Sequence, residues 1–291
     1  MKFVDFFKKS EHERVNRDRR SILLHFHIFK NAGSTIEWLL EKNFPKKNLL
    51  IDGKTPGEIM HLNEICRILK GKNSIKTISS HQIRYPIPEN AEFNFIPILF
   101  LRHPIDRAFS IYYFKRKEMD DSIGSIKARS MNLREFIKWN LDFKGYMPMK
   151  NFQVLFLSDK TTREEVDEKD LGIAINRMKS SLIIGIVDRM DESLVIAENF
   201  LKQEFPEINL AYVKQNVSKE REGTMVERLK QSEEELGTDL MERLGKCNKL
   251  DMKLYHSTNE ELDKRKEKIQ NFDRKMQDFK KRCIDLNITK I

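Results

Sequence analysis

The stretch SILLHFHIFKNAGST, Ser21 to Thr35, constrains this chain more than any other. Ser21 to Ile28 is a short apolar run with β-sheet character, and Ser34 to Lys42 (STIEWLLEK) has the spacing of an amphipathic helix. Strand, tight loop and helix in that order form the opening unit of an α/β fold. Further buried strands are expected at Ser74 to Ser80 (SIKTISS), Phe95 to Leu101 (FIPILFL) and Ser181 to Val187 (SLIIGIV). A turn-rich stretch from Phe44 to Gly57 leads to a helix near Glu58 to Leu69, and another starts at Pro104, a favoured first-turn residue. Helical patterns then run from Leu133 to Lys179, and again from Asp188 almost to the end. Strands alternating with helices predict a parallel sheet of P-loop-NTPase-like type covered on both faces, with a mostly helical C-terminal part.

Composition agrees with a packed fold. Of 291 residues 39% are hydrophobic and 34% charged, with only 11 Gly and 8 Pro, which excludes collagen-like, low-complexity and wholly disordered classes. The spacing of Cys66, Cys247 and Cys283 fits neither a disulfide framework nor a zinc site, so they read as reduced thiols. No run approaches the ~20 apolar residues that span a bilayer. The opening residues lack the apolar core of a secretion signal, and a cytoplasmic protein is expected. The net charge of +9 favours acidic ligands: nucleotides, polyanions or anionic surfaces.

Three segments follow: a basic lead-in at 1–20, a main domain at 21–255, and a C-terminal amphipathic helix at 256–291. In the last, Leu262, Ile269, Phe272, Met276, Phe279, Cys283 and Leu286 follow a heptad pattern broken at Arg265. Such a stripe either pairs with a second copy, giving a homodimer, or packs on the chain's own core, and the sequence leaves both open.

The loop Phe29-Lys30-Asn31-Ala32-Gly33-Ser34-Thr35 is anion-binding in character, because small residues let backbone N–H groups turn inward at a helix N-terminus. Its lysine comes first and its hydroxyls last, the reverse of an ATP or GTP loop. A helix cap alone would also explain Ser34 or Thr35. A second block, LRHPIDRAFSIYYF from Leu101 to Phe114, ends a strand on Arg102 and starts a helix carrying Ser110. An arginine at that rim can fork onto a phosphate.

Together these blocks resemble the signatures of the sulfotransferases that use 3′-phosphoadenosine 5′-phosphosulfate (PAPS), most closely the branch of glycan O-sulfotransferases. Asn151 to Ser158 (NFQVLFLS), Ile183 to Leu194 (IIGIVDRMDESL) and Leu250 to Tyr255 (LDMKLY) resemble later segments of that branch. The resemblance implies that Lys30, Asn31, Ala32, Gly33, Ser34 and Thr35 hold the 5′-phosphosulfate end of the donor, and that Arg102 and Ser110 hold its 3′-phosphate. Phe29 stands where the family usually has proline, and Ala32 replaces a glycine of the commonest form. The polar stretch Asn216 to Arg221 is a candidate for closing over the nucleotide. No adenine-stacking residue can be named, since Trp38 lies too far into its helix.

Sulfuryl transfer needs in-line attack by a hydroxyl, neutralised charge on the transferred group and a base. Lys30 supplies the charge. His81, at the C-terminal end of SIKTISS, matches the place of the family's histidine base. His25 and His27 read as sheet residues and His103 as a structural contact, while Glu92 is an acidic alternative. No His, Cys and carboxylate cluster has metal spacing along the chain, so no metal is expected. Arg84, Tyr85, Lys115 and Arg116 are candidate linings for an acceptor, which the glycan resemblance makes a saccharide.

Two rivals remain: a nucleotide or nucleoside kinase with Asp188 as its magnesium ligand, and a non-enzymatic polyanion binder. The early Lys30 and Arg102 argue against the first. The lack of any groove-reading motif argues against nucleic acid as a partner.

Overall fold

The computed structural model describes residues 19–53, 58–87, 89–144, 148–158, 160, 165–213 and 223–288. Strand β1 (Arg20–Phe26) is followed by helix α1 (Gly33–Asn43), strand β2 (Asn48–Leu50), helix α2 (Leu62–Lys70) and strand β3 (Thr77–Ser80). Next come strand β4 (Phe93–Leu101) and helices α3 (Pro104–Lys117), α4 (Ile123–Ser130), α5 (Leu133–Asp142), α6 (Phe152–Leu157) and α7 (Glu168–Ser180). Strand β5 (Ile183–Ile186) and helix α8 (Met190–Leu201) complete the sheet layer. Beyond it lie α9 (Met225–Leu236), α10 (Thr238–Cys247), α11 (Lys249–Glu267) and α12 (Phe272–Ile288).

The sheet is wholly parallel in the order β2-β3-β1-β4-β5. From β1 the chain crosses to one side for β2 and β3, then to the other for β4 and β5. The direction of winding therefore switches between β1 and β4, where open α/β sheets form a ligand crevice at the strands' carboxyl ends. The register places His25 beside Ser79 of β3 and Ile98 of β4, so the loops after all three strands emerge at one edge.

Strand β1 is buried on both faces, which is why it reads as a nearly continuous apolar run. Ile22, Leu24 and Phe26 join a core with Ile65, Ile78 and Leu254, while Leu23 faces the other way into a core with Ile36, Leu39 and Phe279. A third cluster, built on Phe109, Tyr112 and Phe136, packs helices α3, α5, α9 and α10 together.

Five strands stand where four were expected. The additional one, β2, has three residues, all partly or fully exposed, within the turn-rich stretch, and so lacks the apolar run that marks a buried strand. The helix expected near Glu58 begins at Leu62, because Met60 bridges to Ile83 in extended conformation.

The heptad stripe is split between two helices. The chain turns between α11 and α12 with Asn271 in the left-handed region, φ 56°. Leu262 and Ile269 then pack in one core and Phe279 in the other, flanked by Phe272, Met276 and Cys283. Arg265, the break in the pattern, is buried and donates to the main-chain oxygens of Leu182 (2.7 Å) and Lys179 (3.1 Å), tying α11 to the end of α7. The stripe thus serves the chain's own core. Helix α11 runs without a break through Tyr255, where the main domain was expected to end.

Candidate active site

The loop after β1 is held open by its own backbone. Lys30 (φ 65°) and Ala32 (φ 63°) both adopt the left-handed conformation, at a cost of roughly 1–2 kcal/mol for each side-chain-bearing residue. Gly33 opens α1 under the ring of His27, and a Cβ there would lie 1.7 Å from His27 Nε2. Only glycine fits. Gly33 and Ser34 supply the first amides of α1, which have no carbonyl within the helix to bond, and the helix dipole points the same way.

Asn31, expected to face the donor, is instead buried. Its amide donates to the Phe100 main-chain oxygen and to Gln153 Oε1, each at 2.8 Å, while its Oδ1 has no hydrogen-bond partner. Gln153 also accepts from the Arg102 amide (3.0 Å) and donates to the Arg102 oxygen (2.9 Å). Asp251 completes the brace by accepting from the amides of Gln153 (3.1 Å) and Val154 (2.8 Å) at the start of α6. Burial pushes the Asp251 carboxyl up, against those amides and the charge of Arg107. The segments NFQVLFLS and LDMKLY therefore lock the loop to the end of β4.

Arg102 lies across the crevice from the loop and donates Nη1 to the Lys30 main-chain oxygen at 3.2 Å. Its Nε donates to Asp106 Oδ2 at 2.6 Å. Arg228 of α9 donates Nε to Asp106 Oδ1 at 3.0 Å, so one buried carboxylate orients two guanidinium groups. Ser110 sits one further turn along α3, half-buried. Sequence reasoning missed Asp106, whose i+4 spacing from Arg102 was legible, and Arg228, which no local pattern marks.

The Lys30 ammonium stands 4.0 Å from the centre of the Phe114 ring. Burial, reinforced by the charge of Arg102, lowers its pKa to about 8. Arg107 donates Nε to the Phe29 oxygen (3.2 Å) and both terminal nitrogens to the Pro148 oxygen, pinning the loop's entry. Phe29, in the place of the family's usual proline, meets Phe114 edge-on at 5.4 Å.

His81 follows β3 beside His27, the two ring centres 3.7 Å apart. Its Nδ1 lies 2.8 Å from the His27 main-chain oxygen, which can only accept, so Nδ1 carries the proton and Nε2 is the basic nitrogen. Asp52 accepts from the His81 amide at 2.9 Å. Burial and the neighbouring His27 lower the His81 pKa, partly opposed by Asp52 and Glu37.

Behind this pair runs a directed set of hydrogen bonds, each of 2.8 Å. His25 Nδ1 donates to Ser79 Oγ, Ser79 donates to Glu37 Oε1, and His27 Nδ1 donates to the same Glu37 oxygen. Burial raises the Glu37 pKa, but the hydrogen bonds from His27 and Ser79 and the charge of His27 outweigh it, and the net shift is downward. His25, His27 and Glu37 place ligand-type atoms within 4.8 Å of one another. Sequence spacing shows no such cluster, whereas the fold brings this one together, with its Nδ1 atoms engaged by Ser79 and Glu37.

Other candidates fall away from the crevice. Arg84 is buried with its guanidinium 3.7 Å from the Phe156 ring centre, and Tyr85 is buried with its hydroxyl 2.6 Å from Ser181 Oγ. Both side chains are packed inside the fold. Glu92 precedes β4 at the opposite edge of the sheet and pairs with Lys70. Lys115 pairs with Glu118 at 2.5 Å but remains near the loop, 6.0 Å from the Phe29 ring, and Arg116 donates to the Tyr112 hydroxyl. Asp188 accepts from the Tyr255 hydroxyl at 2.8 Å, and its Oδ1 is buried without a partner, as is Nδ1 of His103. Burial takes the His103 pKa down to about 4 despite Asp106 and Asp188. The stretch Asn216 to Arg221 lies outside the described residues.

A parallel sheet with a loop of small residues opening a helix after its first strand, and a carboxylate-braced arginine across the switch point, is an arrangement in which α/β proteins bind ligands. The Sulfotransferase family matches residues 13–256, and the chain belongs to it. An uncharacterized protein of Archaeoglobus fulgidus (strain ATCC 49558 / DSM 4304 / JCM 9628 / NBRC 100126 / VC-16) is 32% identical over 251 residues, covering 81% of this chain and 95% of that one. Membership makes the chain a sulfuryl transferase in general terms and sets the kinase and polyanion readings aside. Among the described residues no helix is long and apolar enough to cross a membrane.

Proposed function

We propose that the protein transfers the sulfuryl group of PAPS to a hydroxyl of a saccharide acceptor, with His81 as general base. The observation that carries this reading is the facing of Lys30 and Arg102 across the crevice between β1 and β4, with His81 just beyond the end of β3, the neighbour of β1. The loop from Lys30 to Thr35 takes the 5′ end of the donor. Arg102 and Ser110, joined by Arg228, take its 3′-phosphate. In the reaction, His81 Nε2 accepts the hydroxyl proton as the acceptor oxygen bonds to sulfur. The bond from sulfur to the 5′-phosphate oxygen breaks, and its electron pair leaves with 3′-phosphoadenosine 5′-phosphate, whose charge Lys30 neutralises.

The side chains that neutralise charge here are cationic, and the reading requires no metal. The saccharide acceptor is supported by the resemblance of the later segments to the glycan branch. A cytoplasmic setting is supported by three unpaired cysteines. Calorimetric titration without magnesium tests the donor: 3′-phosphoadenosine 5′-phosphate binds tightly, AMP and ATP weakly. Equal or absent binding of all three defeats the reading.

A further inference from the structure

The family's chemistry asks for one base, yet three histidines, a serine and a glutamate crowd the carboxyl ends of β1 and β3. We propose that Glu37 and His27 are positioning residues for that base: the carboxylate holds the His27 ring by its Nδ1, and this ring, packed against His81 at a tilt of 31°, sets the orientation and electrostatic setting in which His81 takes the acceptor's proton. The proposal rests on the reading of His81 as base.

Three features of the geometry support it. The His27 ring is wedged between the Gly33 backbone and the His81 ring, so its plane determines where His81 can lie. Its Nδ1 is bound to a carboxylate, and the His81 Nδ1 is bound to the main-chain oxygen of His27 itself, so one residue holds the base by both ring and backbone. Glu37 is fixed in turn by Ser79 of β3, two residues before His81. When His81 becomes an imidazolium, the Glu37 charge lies one ring away and favours it, whereas a protonated His27 would oppose it.

The charged and titratable groups facing His81 are His25 of β1, His27 just after β1, Glu37 of α1, Asp52 after β2, and Arg84, which donates to the His81 oxygen at 2.9 Å. Of these, Glu37 is the carboxylate bonded to the His27 ring, and it can lose its charge without change of shape. Glu37→Gln keeps an oxygen to accept from His27 and removes only the charge.

The test reads the His81 imidazole by nitrogen NMR in wild type and Glu37→Gln, alongside calorimetry with 3′-phosphoadenosine 5′-phosphate and sulfuryl-transfer kinetics. Expected are a His81 titration displaced to lower pH, the acidic limb of the kcat/KM profile displaced with it, and unchanged bisphosphate binding. The kcat falls by roughly tenfold, a part of the ~10²–10⁴ that a whole general base supplies. A folded variant whose His81 titration and pH profile match the wild type overturns the proposal. If Glu37→Gln does not fold, the wild type decides: coupled titrations of His27 and His81 support the pair, and independent ones refute it. The NMR arm needs no turnover, so a failed donor-binding experiment would defeat the sulfotransferase reading without being confused with this one.

Discussion

Asp106 receives Arg102 across 2.6 Å from one helical turn further along the chain, and holds Arg228 on its other oxygen. With Asp106 only 1% exposed, the repulsion between the two guanidinium groups is offset by a charge that solvent cannot replace.

Asp106→Ala therefore costs on the order of 3–5 kcal/mol of stability, the usual cost of breaking a buried ion pair. Arg102→Ala leaves Asp106 its second partner, Arg228, and so costs less stability, while it weakens binding of 3′-phosphoadenosine 5′-phosphate several-fold or more, narrowing its advantage over AMP. Denaturant melts and calorimetry separate the two effects; unchanged bisphosphate affinity in Arg102→Ala removes the 3′-phosphate role.

Lys30 gives donor binding a pH dependence of defined sign. Its pKa in the free protein is about 8, lowered first by burial. Below that pH the ammonium is present and affinity is level; above it affinity falls by up to about tenfold per pH unit, because binding must then take up a proton. The measurement is calorimetry between pH 6.5 and 9.5, roughly 1.5 units either side of the transition. Lys30→Arg removes the decline.

His81→Ala separates binding from turnover. The bisphosphate binds as before, while kcat falls by ~10²–10⁴. Full activity in this variant places the base elsewhere.

Gln153 touches the loop and β4 through Asn31 and Arg102, and neither contact is with a ligand. Gln153→Leu leaves the Arg102 amide and the Asn31 amide each short of an acceptor, at about 1–3 kcal/mol for each unsatisfied group. Donor affinity falls with stability, measured by melts and calorimetry on the same samples.

Phe279→Ala should cost about 3–5 kcal/mol, since the ring is fully buried in the core of β1 and α1. Light scattering is expected to show the same mass before and after. A dimer that dissociates in the variant would return the stripe to the role of an interface.

The sheet and the two blocks around Lys30 and Arg102 were legible because each rests on local pattern: an apolar run, a loop of small residues, a proline-led helix. Arg102 and Lys30 stand at strand ends that those patterns locate. The brace was not legible, since Asn31, Gln153 and Asp251 come together from three distant segments and none differs in type from an ordinary surface residue. Arg265 shows the converse: its place in a heptad read as a flaw, whereas its donors close carbonyls at the end of α7. The histidine array was half visible, as alternation on one strand, and only the parallel register of β3 adds His81 to it.

Helix α12 carries a consequence for biosynthesis. The face of β1 that bears Leu23 is covered by α1 and α8 but sealed by Phe279, so a chain emerging from the ribosome holds β1 with one side uncapped until α12 is made. Nascent chains stalled short of this helix should bind chaperones, and a few residues trimmed from its tip should matter less than the loss of one buried ring.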